Sequence, residues 1–287
     1  MSYQPLQVEG ELLSNKRVGA YQLITIVVPG IPERIRPGNF VALSVGGEST
    51  STLLRRSFSV YQAQERGLYG GTLELVISAH GPGTRWLAAL APHQMLDVVG
   101  PLGRPFPLPK DPVHALLVGG GYGSAPLFML ADALRQRGCR VDMALGAASA
   151  DRLFGALEAR RVTNALSIAT DDGSLGVQGR VTDAARSILE RSNIDVIYAC
   201  GPMPMLAALS TLGAEFDVMV QCAVEESMAC GIGICMTCVL PVRGSDGVVR
   251  MSRSCVDGPI FAGDRVLWES VGTVPEETLG APKASGH

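Results

Sequence analysis

The chain has 287 residues, of which 47% are hydrophobic and 18% are charged, and its formal net charge is −3. These values exclude a disordered or fibrous protein, because the chain is long and apolar enough to bury the cores of two domains and a small appendage. The slightly acidic balance and the lack of a basic run argue against a nucleic-acid or anionic-membrane surface, so small molecules and proteins remain as partners.

Residues 1–108 predict an antiparallel β-domain. Short β-branched runs are separated by glycine and proline, namely YQLITIVVPG, NFVALSVGG, SFSVYQA, GTLELVISA and MLDVVGP. Such spacing is typical of an antiparallel sheet or a small closed barrel. A helical period appears only in GTRWLAALAP, so we predict an N-terminal β-barrel with one helix.

Two stretches of this domain could bind an anion. Residues 81–84, GPGT, feed the predicted helix, whose N-terminal N–H groups and dipole favour negative charge. Residues 56–59, RSFS, would as a strand place Arg56 and Phe58 on one face and the two serines on the other. The alternatives are a plain helix cap for GPGT and a solvated strand edge for the arginine.

After a proline-rich linker near residue 110, strands and helices alternate. The predicted strands are VHALLVGG, CRVDMALGAAS, NALSIATDDGS and IDVIYAC, and the predicted helices are LFMLADALRQRG, RLFGALEAR, RVTDAARSILERS and PMPMLAALSTLG. This alternation predicts a parallel α/β domain over residues 109–218, with its ligand crevice beyond the C-terminal ends of the strands.

Two turns of this domain lie at such strand ends, GGGYGSAP at 119–126 and Cys200-Gly201-Pro202. The glycine cluster departs from G-x-G-x-x-G, since serine or proline stands in the sixth place. It could therefore be a tight strand-to-helix turn without a ligand, and Cys200 could be a buried core thiol.

Four cysteines near the C-terminus have the spacing of an iron–sulfur site. Cys230, Cys235 and Cys238 form C-x4-C-x2-C, and Cys255 follows after sixteen residues, which is the plant-type [2Fe-2S] pattern. The glycines at 231 and 233 let the backbone curl around a cluster, and GSDGVVRM predicts a hairpin leading back to Cys255. A structural zinc site is the alternative, but it usually presents two C-x2-C pairs.

We assign residues 219–270 to this small [2Fe-2S] domain and expect Cys139, Cys200 and Cys222 not to be ligands. An odd number of cysteines and an N-terminus without an apolar signal core predict a reducing compartment, the cytoplasm. The apolar stretch 115–131 contains four glycines and a proline and is too short for a membrane span. Residues 271–287 show no periodicity and predict a disordered or loosely packed tail.

In their order along the chain, these motifs resemble the ferredoxin–NAD(P) reductase superfamily. The resemblance rests on RSFS, Gly83-Thr84, GPLG at 100–103, GGGYGSAP, TDDGSLGVQGRVTD at 170–183, ACGPMPM at 199–205 and the four-cysteine loop. Within the superfamily, the chain is most similar to the electron transfer subunits of two-subunit, NAD-dependent dihydroorotate dehydrogenases. Those subunits carry a C-terminal [2Fe-2S] cluster and a loop similar to ESMACGIGICMTC.

The resemblance implies three cofactors: FAD, a [2Fe-2S] cluster and NAD. For FAD, it implies that Arg56 pairs with the diphosphate and that Phe58 lies against the flavin. The other implied FAD residues are Ser57, Ser59, Val76, Ile77, Ser78, Gly83 and Thr84. The implied NAD residues are Gly119, Gly120, Gly121, Gly123, Cys200, Gly201 and Pro202, with Cys200 near the nicotinamide ring.

The implied function is electron transfer from an FMN-containing dihydroorotate dehydrogenase catalytic subunit, through the cluster and FAD, to NAD in pyrimidine biosynthesis. The implied assembly is a heterotetramer, with the loop at 229–238, Met228 and Met236 at the interface. We assign no catalytic residue, since the four histidines (His80, His93, His114 and His287) form no convincing acid–base cluster.

Two rivals remain at this point. One is a reductase subunit of a sulfide dehydrogenase, hydrogenase or ferredoxin:NAD(P) complex, which would keep the fold and change the partner. The other is a binding or regulatory protein without turnover. NAD and NADP also remain open, because Arg152 could be a solvated residue or a 2′-phosphate ligand.

Overall fold

A computed structural model describes residues 4–47, 50–65 and 70–281. The N-terminal part is a closed antiparallel barrel with strand order β1-β2-β5-β4-β3-β6. Its strands are β1 (Leu6–Val18), β2 (Tyr21–Val27), β3 (Phe40–Leu43), β4 (Arg56–Gln64), β5 (Thr72–Ile77) and β6 (Met95–Leu102). Helix α1 (Pro82–Ala88) connects β5 to β6. The predicted barrel with one helix is confirmed.

Strand β1 was not among the β-branched runs from which the barrel was predicted. It pairs with β2 on one side and with β6 on the other, and so closes the barrel. Its first residues alternate between half-buried Leu6 and Val8 and exposed Gln7 and Glu9. Because one face meets the core and the other meets water, the strand carries a period of two and no continuous β-branched run.

The second part is a parallel α/β domain, as predicted. It contains strands β7 (His114–Gly120), β8 (Arg140–Ala147), β9 (Ala165–Thr170), β10 (Val177–Gln178), β11 (Val196–Cys200) and β12 (Met219–Ala223). Its helices are α2 (Ala125–Gln136), α3 (Ala156–Val162), α4 (Val181–Leu189) and α5 (Met203–Glu215). The strand order β10-β9-β8-β7-β11-β12 places the ends of β7 and β11 side by side.

The C-terminal segment is held at both ends by this sheet. It contains the hairpin β13 (Val239–Arg243) and β14 (Val249–Arg253), as predicted from GSDGVVRM, and then β15 (Ile260–Ala262). Strand β15 pairs antiparallel with β12, which itself pairs parallel with β11. The sheet therefore extends past the predicted boundary at residue 218, and the cysteine loop lies between two of its strands.

Part of the predicted loose tail is ordered against the hairpin. Thr278 is buried and forms a bridge with Val249, and the Leu279 N–H donates to the Val249 carbonyl at 2.8 Å. Arg243 also pairs with Glu277 at 2.7 Å. The reason is that β14 is the edge of a two-stranded ribbon, whose free backbone groups need partners. The last six residues of the tail, including His287, lie outside the described residues.

The barrel and the α/β domain meet through a cluster of aromatic rings. Tyr61 on β4 makes edge-to-face contacts with Phe128 on α2 and with Phe154, at centroid distances of 5.8 and 5.1 Å. Such contacts stabilise the interface beyond the area that they bury. They hold strand β4 against helix α2 and so fix the cleft between the two domains.

Over the described ranges, none of the helices is long and apolar enough to cross a membrane.

Candidate cofactor and cluster site

A cleft of about 620 Å³ lies between the barrel, the α/β domain and the segment that leads into the cysteine loop. Its volume is in the range of sites that hold small molecules and cofactors. The barrel contributes residues 56–59, Val76 and His80, and the α/β domain contributes Tyr122, Gly123, Ala125, Pro126 and Cys200. Residues 223–228 close the third side.

All four residues of the RSFS stretch line this cleft, although Phe58 packs on the barrel core and Ser57 lies against Gly231 of the cysteine loop. The reason is the strand pairing of β4. Residues 56–59 pair with β3, whereas the pairing of β4 with β5 begins only at Val60. The barrel wall is therefore open on one side along these four residues, and none of them is fully buried.

The two adjacent arginines point to different places. Arg56 donates from Nη1 to the Leu54 carbonyl at 2.7 Å, and its Nε lies 3.4 Å from the position that a Cβ would take on Gly83. Its guanidinium therefore lies beside the N-terminus of α1. Arg55 instead pairs with the Asp97 carboxylate at 2.6 Å and does not line the cleft.

The GPGT turn forms a helix cap. The Thr84 hydroxyl accepts hydrogen bonds from the His80 and Gly81 N–H groups, at 3.1 and 3.0 Å, so the threonine side chain is already in use. Gly83 is buried against Val45 and Arg56. The plain-cap alternative is thus present in the structure, and an anion-binding role for Gly83 and Thr84 stays a prediction.

The three residues predicted to bind FAD at the end of β5 are Val76, Ile77 and Ser78, and they differ in their position relative to the cleft. Val76 lines the cleft, whereas Ile77 is fully buried in the barrel core and Ser78 is half-buried outside the cleft lining. Alternation along the strand explains the difference between Val76 and Ile77. A flavin-binding role for Ile77 and Ser78 would therefore have to use backbone groups.

The two predicted NAD turns pack directly against each other. Gly119 and Cys200 are register partners at the ends of β7 and β11. A Cβ on Gly123 would lie 2.9 Å from the Cys200 carbonyl oxygen and from the Gly201 Cα, so only glycine allows this approach. Gly123 and Cys200 line the cleft, and Gly119, Gly120, Gly201 and Pro202 pack around them, while Gly121 lies beside the Tyr21 hydroxyl.

Cys200 faces the cleft from a buried position, with 4% of its surface exposed. Burial raises the pKa of its thiol well above the ordinary value, and the nearby Glu225 carboxylate raises it further. Cys200 is therefore a neutral thiol at physiological pH. It fits both a core position and contact with an apolar ring.

Two residues with titratable side chains, Tyr122 and Glu225, line the cleft but were not predicted as site residues. Burial raises the pKa of Tyr122 to about 12, with Glu225 adding to the rise. Partial desolvation in the cleft raises the pKa of the Glu225 carboxyl, although part of this residue stays open to solvent. Their sequence signals were weak, because Tyr122 is one letter in a glycine turn and Glu225 precedes the cysteine loop.

The four cysteines of the C-terminal loop come together as two pairs. Cys235 makes hydrogen bonds to Thr237 and to Cys230, and these lower the pKa of its thiol to about 6. Burial and a hydrogen bond with Cys238 raise the pKa of the Cys255 thiol to about 12. No three His, Cys, Asp or Glu side chains in the described ranges converge on a single ion. Two thiol pairs suit a two-iron cluster, in which each iron needs two protein ligands.

Backbone N–H groups also point at the first pair. Ile232 and Ile234 both donate to the Cys230 sulfur, at 3.5 and 3.4 Å. Such donors stabilise the negative charge that a cluster places on its sulfurs. Together with the paired thiols, they show that the residues present fit a [2Fe-2S] cluster.

The cysteine loop lies directly on the barrel wall that lines the cleft. Cys238 and Cys255 are buried against Phe40, Ala42 and Leu102. A Cβ on Gly231 would lie 3.5 Å from the Ser57 hydroxyl oxygen, so the loop reaches the RSFS stretch. The cluster site and the cleft therefore share one wall.

Gly233→Ala should weaken the cluster site more than Gly231→Ala. Both glycines have positive φ, at +84° and +72°, which costs a residue with a side chain about 1–2 kcal/mol. A Cβ at 233 would in addition lie 2.9 Å from Val256 Cγ2, whereas at 231 the nearest contact is an ordinary 3.5 Å. Iron release to a chelator should be faster in the Gly233 variant, with FAD content as the control. Equal rates in both variants would contradict this.

Comparison with known proteins identifies relatives of this chain. A family model described as the iron–sulfur cluster binding domain of dihydroorotate dehydrogenase B matches residues 225–267. The dihydroorotate dehydrogenase B (NAD(+)) electron transfer subunit of Bacillus caldolyticus is 38% identical, covering 89% of this chain and 97% of the relative. The subunit of the same name from Listeria monocytogenes is 34% identical, covering 91% and 99%.

Solved structures agree with this fold. The structure of an NADH-dependent reduced ferredoxin-NADP oxidoreductase has a TM-score of 0.79 and 29% identity, covering 91% of each chain. A ferredoxin NADP+ reductase from Neisseria gonorrhoeae has a TM-score of 0.58 at 15% identity, covering 73% of this chain and 91% of the other, and shows likeness of fold alone. With relatives 34–38% identical over almost their whole length, the chain belongs to the family of dihydroorotate dehydrogenase B electron transfer subunits.

Proposed function

We propose that this chain passes electrons from a partner dihydroorotate dehydrogenase through a [2Fe-2S] cluster and FAD to NAD, as a step of pyrimidine biosynthesis. The observation that carries the proposal is the shared wall, on which Gly231 of the cysteine loop approaches Ser57 of the cleft. A site for a one-electron carrier next to a site for a flavin is what conversion between single electrons and hydride requires.

The cofactors supply the chemistry when bound, since a cluster carries one electron, nicotinamide accepts hydride and a flavin handles both. The chain supplies the binding groups. Arg56 offers a guanidinium to the FAD diphosphate, and Phe58 offers a ring face to the flavin. We assign FAD also to Ser57, Ser59, Val76, Ile77, Ser78, Gly83 and Thr84, the last four through backbone or capping groups.

On the other side of the cleft, the packed turns would receive NAD. Gly123 and Cys200 line the cleft, and Cys200 would lie near the nicotinamide as a neutral thiol. Gly119, Gly120, Gly121, Gly201 and Pro202 would shape the approach of the dinucleotide. No side chain needs to remove a proton in this transfer, so we assign the chain no catalytic acid or base.

The partner would bind where the cysteine loop is exposed. Ile232, Ile234 and Met236 are 47%, 76% and 50% exposed and form an apolar patch beside Cys235, which we call the cluster-loop patch. Met228 is half-buried against the cluster that contains Cys238 and Cys255 and lines the cleft beside this patch. Exposed apolar groups of this kind mark interaction sites. We propose an FMN-containing catalytic subunit as the occupant, in a cytoplasmic heterotetramer.

The isolated chain, loaded with FAD and cluster, should oxidise NADH with an artificial electron acceptor and should not oxidise dihydroorotate. Dihydroorotate oxidation needs a placed base beside a second flavin, and we assign this chain a single flavin site and no base. Co-expression with a dihydroorotate dehydrogenase catalytic chain from the same source should give a complex that reduces NAD with dihydroorotate. Activity of the isolated chain with dihydroorotate would contradict the proposal.

The cluster-loop patch can be tested with a matched pair of variants. Ile234→Glu should prevent formation of the complex while NADH oxidation by the chain itself continues. Leu157 on α3 is 71% exposed, nearly as much as Ile234 at 76%, but lies far along the chain from the cysteine loop. Leu157→Glu should leave the complex intact. Loss of the complex in both variants, or in neither, would place the partner elsewhere.

A second candidate is the reductase subunit of a ferredoxin:NAD(P) complex. The solved oxidoreductase with a TM-score of 0.79 over 91% of the chain favours it. The co-expression experiment separates the two, because a ferredoxin-type partner would then co-purify in place of the dihydroorotate dehydrogenase chain.

A further inference from the structure

Arg253, at the end of β14, lies behind the cysteine loop and makes two contacts with it and its surroundings. Its Nη1 donates to the Gly233 carbonyl at 3.0 Å, and its Nε lies 3.3 Å from the Asp257 carboxylate. Asp257 also accepts the Arg253 N–H at 3.0 Å. The guanidinium is therefore held in one orientation, with one edge on a carboxylate and another on the loop backbone.

The acceptor of this hydrogen bond belongs to a peptide group that faces the sulfurs. The Gly233 carbonyl and the Ile234 N–H are parts of the same planar peptide. On its other side, the Ile234 N–H donates to the Cys230 sulfur at 3.4 Å. One peptide group thus connects the guanidinium with the sulfur of Cys230.

The support behind Arg253 comes from the barrel side. Arg104 donates from Nε to the Val256 carbonyl at 3.1 Å and lies 3.8 Å from the Asp257 carboxylate. Asp257 therefore connects Arg253 to the linker after β6. Breaking the contact of Arg253 with Gly233 would release the loop on its outer face, while Cys238 and Cys255 stay packed against the barrel.

We propose that Arg253 is a positioning residue for the cluster: it fixes and polarises the Gly233–Ile234 peptide so that the peptide N–H stabilises the Cys230 thiolate and raises the reduction potential. A cationic donor on a carbonyl strengthens the N–H donor of the same peptide, because hydrogen-bond chains polarise one another. Hydrogen bonds to the sulfurs help to set the potential of a cluster, since reduction adds negative charge there. This inference rests on the proposed cluster.

The test is a redox titration of the FAD- and cluster-loaded protein, with the reduced cluster followed by electron paramagnetic resonance and the FAD potential as internal reference. Arg253→Gln should lower the potential of the cluster and leave that of FAD unchanged. The expected fall in the equilibrium constant for reduction is about tenfold, which is roughly 59 mV for one electron. Arg253→Lys keeps the charge without the planar fork and should recover part of the shift.

Arg250→Gln is the matched control. Arg250 lies on the same strand and pairs with Asp246 at 2.7 Å, in an exposed ion pair of the hairpin turn. Its loss removes the same charge without touching the cysteine loop, so the potential of the cluster should stay unchanged. A fall of the potential in the Gln variant at 253, partly recovered in the Lys variant and absent in the control, supports the proposal.

An unchanged potential in loaded Arg253→Gln, or an equal fall in Arg250→Gln, overturns it. If Arg253→Gln does not retain iron, Arg253→Lys decides, and a potential equal to that of the unaltered protein then overturns the proposal. Absence of iron and acid-labile sulfide from the unaltered chain would instead overturn the proposed cluster itself, so the two failures are distinguishable.

Discussion

Replacing Cys235 with serine should leave the chain without a stable iron–sulfur cluster while its FAD content remains unchanged. Cys235 supplies half of the outer thiol pair, and hydrogen bonds from Thr237 and Cys230 lower the pKa of its thiol to about 6. A serine hydroxyl does not ionise in this range and cannot replace that thiolate. Changes behind metal ligands alone cost about 10–100-fold in metal affinity, so loss of a ligand should cost at least as much.

Iron and acid-labile sulfide per folded chain, measured after anaerobic purification, check this result. Cys222→Ser and Cys139→Ser are the controls. Cys222 is buried on β12 beside the Ser210 hydroxyl at 3.6 Å, and Cys139 is buried just before β8. Both should keep a full cluster. Normal iron and sulfide in Cys235→Ser would end the assignment of the four cysteines.

The cluster loop and the barrel could be predicted because their signals are local. Cys230, Cys235 and Cys238 lie within nine residues, so their spacing alone limits what they can bind. The β-branched runs between glycines and prolines predict the barrel strands, and the alternation of strand and helix patterns predicts the α/β domain. In each case, neighbouring residues carry the information.

The cleft could be predicted only in part, because it is made by contacts between distant segments. Tyr122 and Glu225 come from opposite ends of the α/β domain and meet only when β7, β11 and β12 align. The access of all four residues 56–59 to the cleft depends on where the pairing of β4 with β5 begins, which no strand period reveals. Likewise, the docking of residues 277–279 depends on the free edge of a hairpin formed earlier in the chain.

Arg56→Ala should release FAD. The guanidinium lies beside the N-terminus of α1 and lines the cleft next to Phe58, where a diphosphate would meet both a fixed charge and backbone donors. Hydrogen bonds to charged groups are worth about 1.5–3 kcal/mol each. Since about 1.4 kcal/mol corresponds to a factor of ten, FAD affinity should fall at least about tenfold. Fluorescence titration of the deflavinated protein with FAD measures this.

Arg55→Ala is the control that the chain itself provides. Arg55 has the same charge and is adjacent in sequence, but its side chain is committed to Asp97 on β6 and lies outside the cleft. Its partly exposed ion pair is worth at most about 1 kcal/mol of folding stability, and FAD affinity should stay close to that of the unaltered chain. Arg56→Lys should lie between, because an ammonium keeps the charge without the planar fork that suits a diphosphate. Equal losses of FAD affinity at 55 and 56 would mean that net charge near the barrel opening, and not the position of one guanidinium, governs binding.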